Sequence, residues 1–162
     1  MAQADYVFDD FLSDIEDEYK SFVSDINASL ADGGYRTKIE SKANGFMVSY
    51  SYPKTKRSIL NFIFRKKKLQ VRIYADNFGK YPAFMDALPG EMEKEIAKAA
   101  VCKRLINPTD CNSRCPMGYD FNIKTNRYQK CRYSCFQFEI NEANAGVISE
   151  FIENERKERD VS

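Results

Sequence analysis

Apolar positions set the first frame. From Phe8 to Leu30 they recur at 8, 11, 12, 15, 19, 22, 23, 26 and 30, the three- and four-residue spacing of one helical stripe with acids on its outer face. Asp32-Gly33-Gly34 is the stop. The period then changes to two. Thr37–Ala43 is a candidate strand, Asn44-Gly45 a two-residue hairpin turn, and Phe46, Val48, Tyr50 and Tyr52 alternate after it. Ser58–Phe64 and Lys68–Tyr74 alternate likewise around a charged turn at Arg65-Lys66-Lys67. The pattern predicts an antiparallel meander of three to four strands, one face of which the amphipathic first helix covers.

Helical spacing returns after Asp76. A short piece over Tyr81–Leu88 ends at Pro89-Gly90, and a longer helix runs from Glu91 to about Ile106. Phe136, Phe138 and Ile140 alternate as a last short strand. Asn141 caps a final helix with Val147, Ile148, Phe151 and Ile152 as its buried stripe, and the charged tail from Glu153 to Ser162 is expected to fray. The expectation is one α+β domain over 1–162, with 107–135 a loop inserted before the last strand and helix.

That loop carries the candidate chemistry. Cys111/Cys115 and Cys131/Cys135 form two Cys-x3-Cys pairs separated by fifteen residues, with Cys102 upstream. Four thiolates among turn formers suit a tetrahedral structural zinc. Cys111, Cys115 and Cys131 are the firm ligands. Cys135 and Cys102 compete for the fourth place, because a fully extended strand would hold residues 131 and 135 roughly 13 Å apart. A site with four protein ligands keeps no open position for water, so such a zinc holds structure and does not catalyse. Lys103, Arg104, Arg114, Lys130 and Arg132 stand close by to offset its charge. The alternatives are ordinary buried thiols and a zinc–thiolate redox sensor.

Composition narrows the function classes. The chain has 162 residues, 43% hydrophobic and 30% charged, enough for one domain with its own core. It contains no histidine, which removes the commonest general base and every Ser-His or Cys-His nucleophile pair. Phosphate-cradling glycine loops and nucleophile elbows do not occur either. The balance leans away from an enzyme. No apolar run predicts a membrane span, and the opening MAQADYVFDDFL lacks a secretory pattern, so a cytoplasmic protein is expected.

Net charge is only +1, yet it is segregated. Residues 1–34 hold nine acids and one base, whereas 35–80 hold twelve bases and two acids. Sequence leaves two outcomes open: the acidic helix neutralises the basic meander, or one face stays positive for a polyanion. The candidate nucleic-acid residues are Arg57, Arg65, Lys66, Lys67 and Lys68, with Phe62, Phe64 and Tyr74 as flanking rings. A small-molecule ligand or substrate in an aromatic pocket around Tyr50, Tyr52, Phe62 and Tyr74 is the alternative.

The order of helix, lysine-turn meander over 37–74 and further helices resembles the small bacterial MmcQ/YjbR and TfoX-N-terminal type of domain. That resemblance implies an α+β fold and a loose association with DNA binding; the cysteine loop departs from it. The stretches CKRLINPTDCNSRCPMGYDF and YQKCRYSCFQF are similar to segments of uncharacterised bacterial cysteine-motif proteins, a likeness that implies no activity.

Overall fold

A computed structural model describes residues 6–114, 118–131 and 136–160. The elements are α1 (Phe8–Asp14), α2 (Asp17–Asp32), β1 (Arg36–Lys42), β2 (Gly45–Ser51), β3 (Ser58–Arg65), β4 (Lys68–Ile73), α3 (Pro82–Asp86), α4 (Gly90–Ala97), α5 (Lys103–Ile106), β5 (Tyr119–Ile123), β6 (Asn126–Lys130), β7 (Phe136–Glu139) and α6 (Ala145–Asp160). The fold is α+β. Its main sheet has the antiparallel order β1-β2-β3-β4-β7, and β5 pairs with β6 in a separate hairpin.

The expected first helix is two. Ile15 is extended (φ −98°, ψ 155°) and buried, and it separates α1 from α2. An unbroken helix would add Asp14 against Glu18 at four-residue spacing, where like charges repel. The break instead puts Asp17 and Glu18 in the first turn of α2, where the helix dipole favours them.

Register and alternation assign two faces to the sheet. Ile39, Val48, Phe62, Val71 and Phe138 form one transverse row, and Thr37, Tyr50, Leu60, Ile73 and Phe136 the next. The helices pack on this face. Phe11 of α1 stacks on Phe62 with centroids 5.9 Å apart. The Tyr50 hydroxyl donates to Asn27 of α2 at 2.8 Å, and Phe151 of α6 meets Phe136 and Phe138. A β-bulge between Tyr50/Ser51 and their partners inserts Ile59, which is fully buried.

Three expectations about element ends change. Lys42 pairs with Gly45, so the first hairpin turns at Ala43-Asn44, one residue early; Gly45 lies against the Phe64 ring, with no room for a side chain. The long fourth helix stops at Ala97, because Val101 bridges Lys130 and draws the chain into an extended path. Lys130 donates to the carbonyls of Ala97 and Ala99 at 2.7 and 2.9 Å, a positive charge on the helix's C-terminal end.

The third change is the largest. The tail does not fray: α6 runs to Asp160, with Glu155 fully buried and Arg159 only 4% exposed. Arg159 donates from Nε to Glu155 at 2.9 Å and from Nη2 to the carbonyls of Tyr74 (2.8 Å) and Ser58 (3.1 Å). Glu155 also accepts from the Asn77 backbone and side chain and from the Tyr81 hydroxyl. Burial, then the Glu155 carboxylate, push the Tyr81 phenol far above its ordinary value. This network ties α6 to β3 and to the exit of β4. Among the described residues, no helix is long and apolar enough to cross a membrane.

Candidate nucleic-acid interface and cysteine hairpin

The second face of the sheet points away from α1, α2 and α6. Its central row is Lys38, Ser49, Asn61, Arg72 and Gln137. By alternation Arg36, Glu40, Lys42, Arg65, Lys68, Gln70 and Glu139 share it, so the face carries six bases against two acids. Glu40 answers Lys38 and Lys42 at 2.7 and 3.0 Å, and Glu139 answers Lys68 at 3.3 Å. No described carboxylate pairs with Arg36, Arg65, Lys66 or Lys67. The acids of α1 and α2 therefore lie across the sheet from the basic residues. Neutralisation through packing is not what this geometry does.

At the β3–β4 tip, Arg65 pairs with Lys68, leaving Lys66-Lys67 as a two-residue turn. Both lysines are left-handed, with φ of 53° and 64°. Hairpins of this length favour Asn-Gly here because a side chain disfavours that conformation. The tip keeps two exposed ammonium groups in its place.

Two sequence expectations are not met. Arg57 is not part of the basic face. It stands at the other end of β3 and forms a bidentate pair with Asp76, Nε and Nη2 both at 2.7 Å. Asp76 also accepts from the Tyr119 hydroxyl at 2.7 Å and from Arg159 at 3.3 Å. Burial pushes the Asp76 carboxyl up, but Arg57, Tyr119 and Arg159 together hold it below its usual value. Two of the three flanking rings also fail to interleave with the charge: Phe62 is fully buried on the helix-covered face and Phe64 shares that face. Tyr50, Tyr52 and Phe62 fill the core against one another and against Tyr35 and Phe11.

The cysteine loop contains the unforeseen β5–β6 hairpin. Phe121 and Tyr119 dock on Phe78 at 4.3 and 4.9 Å, while Tyr128 and Asn126 donate to Glu93 at 2.9 Å. Alternation at Tyr119, Phe121 and Ile123 was its signal. The segment before α5 lies alongside the hairpin: Cys102 N–H donates to the Gln129 carbonyl at 2.9 Å, and Cys131 N–H to the Ala100 carbonyl at 2.7 Å. Cys102 is buried, and its Sγ accepts from the Gly118 N–H at 3.3 Å. A Cβ on Gly118 would stand 2.1 Å from the Lys130 carbonyl oxygen and 2.9 Å from Cys102 Sγ.

Cys131 is half-buried and Cys111 exposed; Cys115 and Cys135 lie outside the described residues. Among the described residues no three Cys, Asp or Glu side chains converge to hold a metal. A cleft of about 410 Å³, announced by no pattern in the sequence, lies between α4 and the β7 edge, lined by Gln70, Met92, Glu95, Gln137 and Glu139 among others. Set beside known proteins, the chain matches no family model, no curated protein and no solved structure.

Proposed function

We propose that the chain is a non-catalytic binding domain that takes up nucleic acid on the second face of its sheet and keeps its cysteine loop ordered with one structural zinc. One observation carries the first part: strand alternation turns Arg36, Lys38, Lys42, Arg65, Lys68 and Arg72 to the face opposite the acidic helices. A surface on which six bases outnumber two acids, and on which no described carboxylate pairs with Arg36 or Arg65, is suited to attract phosphate. Because Phe62 and Phe64 are turned inward, the charges and not ring stacking supply the affinity. The likeness to a domain type loosely tied to DNA binding leans the same way.

The zinc is supported by the spacing of the cysteines and by the strand-like pairing of residues 100–102 with 129–131. That pairing favours Cys102 over Cys135 as the fourth ligand beside Cys111, Cys115 and Cys131. An N–H donated to sulfur, as from Gly118 to Cys102, is the support a metal thiolate uses.

Fluorescence anisotropy with a labelled single-stranded oligonucleotide, across a salt series, tests the binding. Affinity should fall steeply with salt and weaken when Arg65, Lys66, Lys67 and Lys68 all become Ala. Absence of binding at low salt, or binding indifferent to salt, overturns it. Elemental analysis of protein purified without chelator tests the metal: one zinc per chain is expected, lost in Cys102→Ser and kept in Cys135→Ser. Metal-free protein refutes the zinc without touching the basic face.

A further inference from the structure

The cleft beside β7 opens onto the basic face. Arg72, in the central row, is the cross-strand neighbour of Gln137, and Gln70 is the neighbour of Glu139. A relay of hydrogen bonds fixes how the amides point. Arg72 Nε can only donate, so the Gln137 atom it meets at 3.2 Å is Oε1. Gln137 must then offer its Nε2, which donates to Gln70 Oε1. This leaves the Gln70 amide N–H2 without a partner among the described residues, on a side chain lining the cleft beside the Glu139 carboxylate. Pro89 and Met92 supply an apolar wall, and Glu91 and Glu95 add two further carboxylates to the lining.

We propose that this cleft receives one base of a single-stranded nucleic acid whose phosphates lie on the basic face, and that it selects guanine. This rests on the binding surface proposed above. A donor set beside a carboxylate complements the guanine edge: Glu139 accepts from N1–H and N2–H while the Gln70 amide donates to O6. Thymine and uracil have carbonyls on both sides of a single N–H, which turns an oxygen towards the carboxylate. Single-stranded bases are read on these edges once they are unstacked. The cleft volume is in the range of sites that enclose a ligand of nucleoside size. Two phosphates flanking the base would meet Arg72 and Lys68 on the same face, Lys68 exchanging its 3.3 Å pairing with Glu139 for a phosphate as that carboxylate turns to the base.

The test compares a labelled oligothymidine with the same oligomer carrying one central guanine; an oligouridine pair run in parallel separates DNA from RNA. One guanine should tighten binding about ten-fold, the scale of one well-made polar base contact. Gln70→Ala and Glu139→Gln should each erase that difference while leaving oligothymidine binding no weaker. Salt-dependent binding with equal affinity for both oligomers overturns the guanine cleft alone. Binding of neither oligomer overturns the surface and the cleft together. A guanine preference that survives both substitutions places its reader elsewhere and refutes this assignment.

Discussion

Replacing the tip lysines by the residues a two-residue hairpin prefers, Lys66→Asn with Lys67→Gly, should make the protein more stable and a worse binder. Both lysines sit at positive φ, where a side chain costs about 1–2 kcal/mol relative to glycine. Glycine in turn loosens the unfolded chain, which takes back about 0.4–1 kcal/mol. Asparagine relieves less strain than glycine but tolerates the left-handed region. The double variant should therefore gain about 1 kcal/mol. For a domain of this size that is a rise in Tm of about 2–4 °C by calorimetry. Binding moves the other way: two charges fewer on a single strand should flatten the log–log salt slope by about 1.4, at roughly 0.7 per phosphate contact. A fall in Tm would refute the strain argument. An unchanged salt slope would remove the tip from the interface. Only the opposed changes fit a turn that holds charge at the expense of backbone comfort.

Other perturbations reach the rest of the molecule. Glu155→Ala removes the fully buried carboxylate that Arg159, Asn77 and Tyr81 share, leaving Arg159 with Asp76 as its acid, and should lower stability in urea titrations by about 2–4 kcal/mol, against less than about 0.5 kcal/mol for the exposed Glu150→Ala; equal effects would deny the network its role. Asp76 titrates lower in the fold than in the unfolded chain, so its contribution is present above the unfolded value of 3.8 and is lost as pH falls through the lower folded value. Asp76→Asn should accordingly give a shallower acid limb in stability measured against pH. Gly118→Ala drives a Cβ into the Lys130 carbonyl and Cys102 Sγ, and should open the Cys102 thiol to an aromatic disulfide reagent; protection equal to the parent's would show that the hairpin absorbs the change elsewhere. Burial pushes the Tyr35 phenol to about 12. Its stabilising effect is complete below its ordinary value of 10.0 and disappears as pH rises through the folded value, so alkaline unfolding should be later in Tyr35→Phe.

The meander was legible because β1 to β4 are local pairings with alternating positions. Phe46 to Tyr50 and Leu69 to Ile73 carry the period of two on a sheet with one covered face. The last strand was legible from Phe136 and Phe138, and its place beside β4 was not: register between distant segments leaves no trace in either segment alone. The Ile15 break escaped because the apolar spacing continues through it, and the second helix start that Asp17 and Glu18 favour does not show in that spacing. The tail was misjudged for a related reason. Glu155 and Arg159 look like solvent-facing helix charges, and their burial depends on carbonyls supplied by Ser58 and Tyr74. At the candidate interface the lysines were visible, while Arg57 was drawn off by Asp76, a partner nineteen residues away. Gln70 and Gln137 went unnoticed because amides announce nothing until β4 and β7 set them side by side.

The pairing of β4 with β7 also bears on how the chain is made. Sixty-seven residues separate Gln70 from Gln137, so a ribosome finishes the meander well before the strand that closes its edge. In that interval Leu69, Val71 and Ile73 stand on an unpaired border, the kind of edge on which nascent chains cross-associate. The network of Glu155 and Arg159 that ties the last helix to β3 forms later still, once Arg159 has left the exit tunnel. The charged tip at Lys66 to Lys68, next to that border, then acts as its early guard: lysines exposed in the finished protein repel a second copy of the unfinished one.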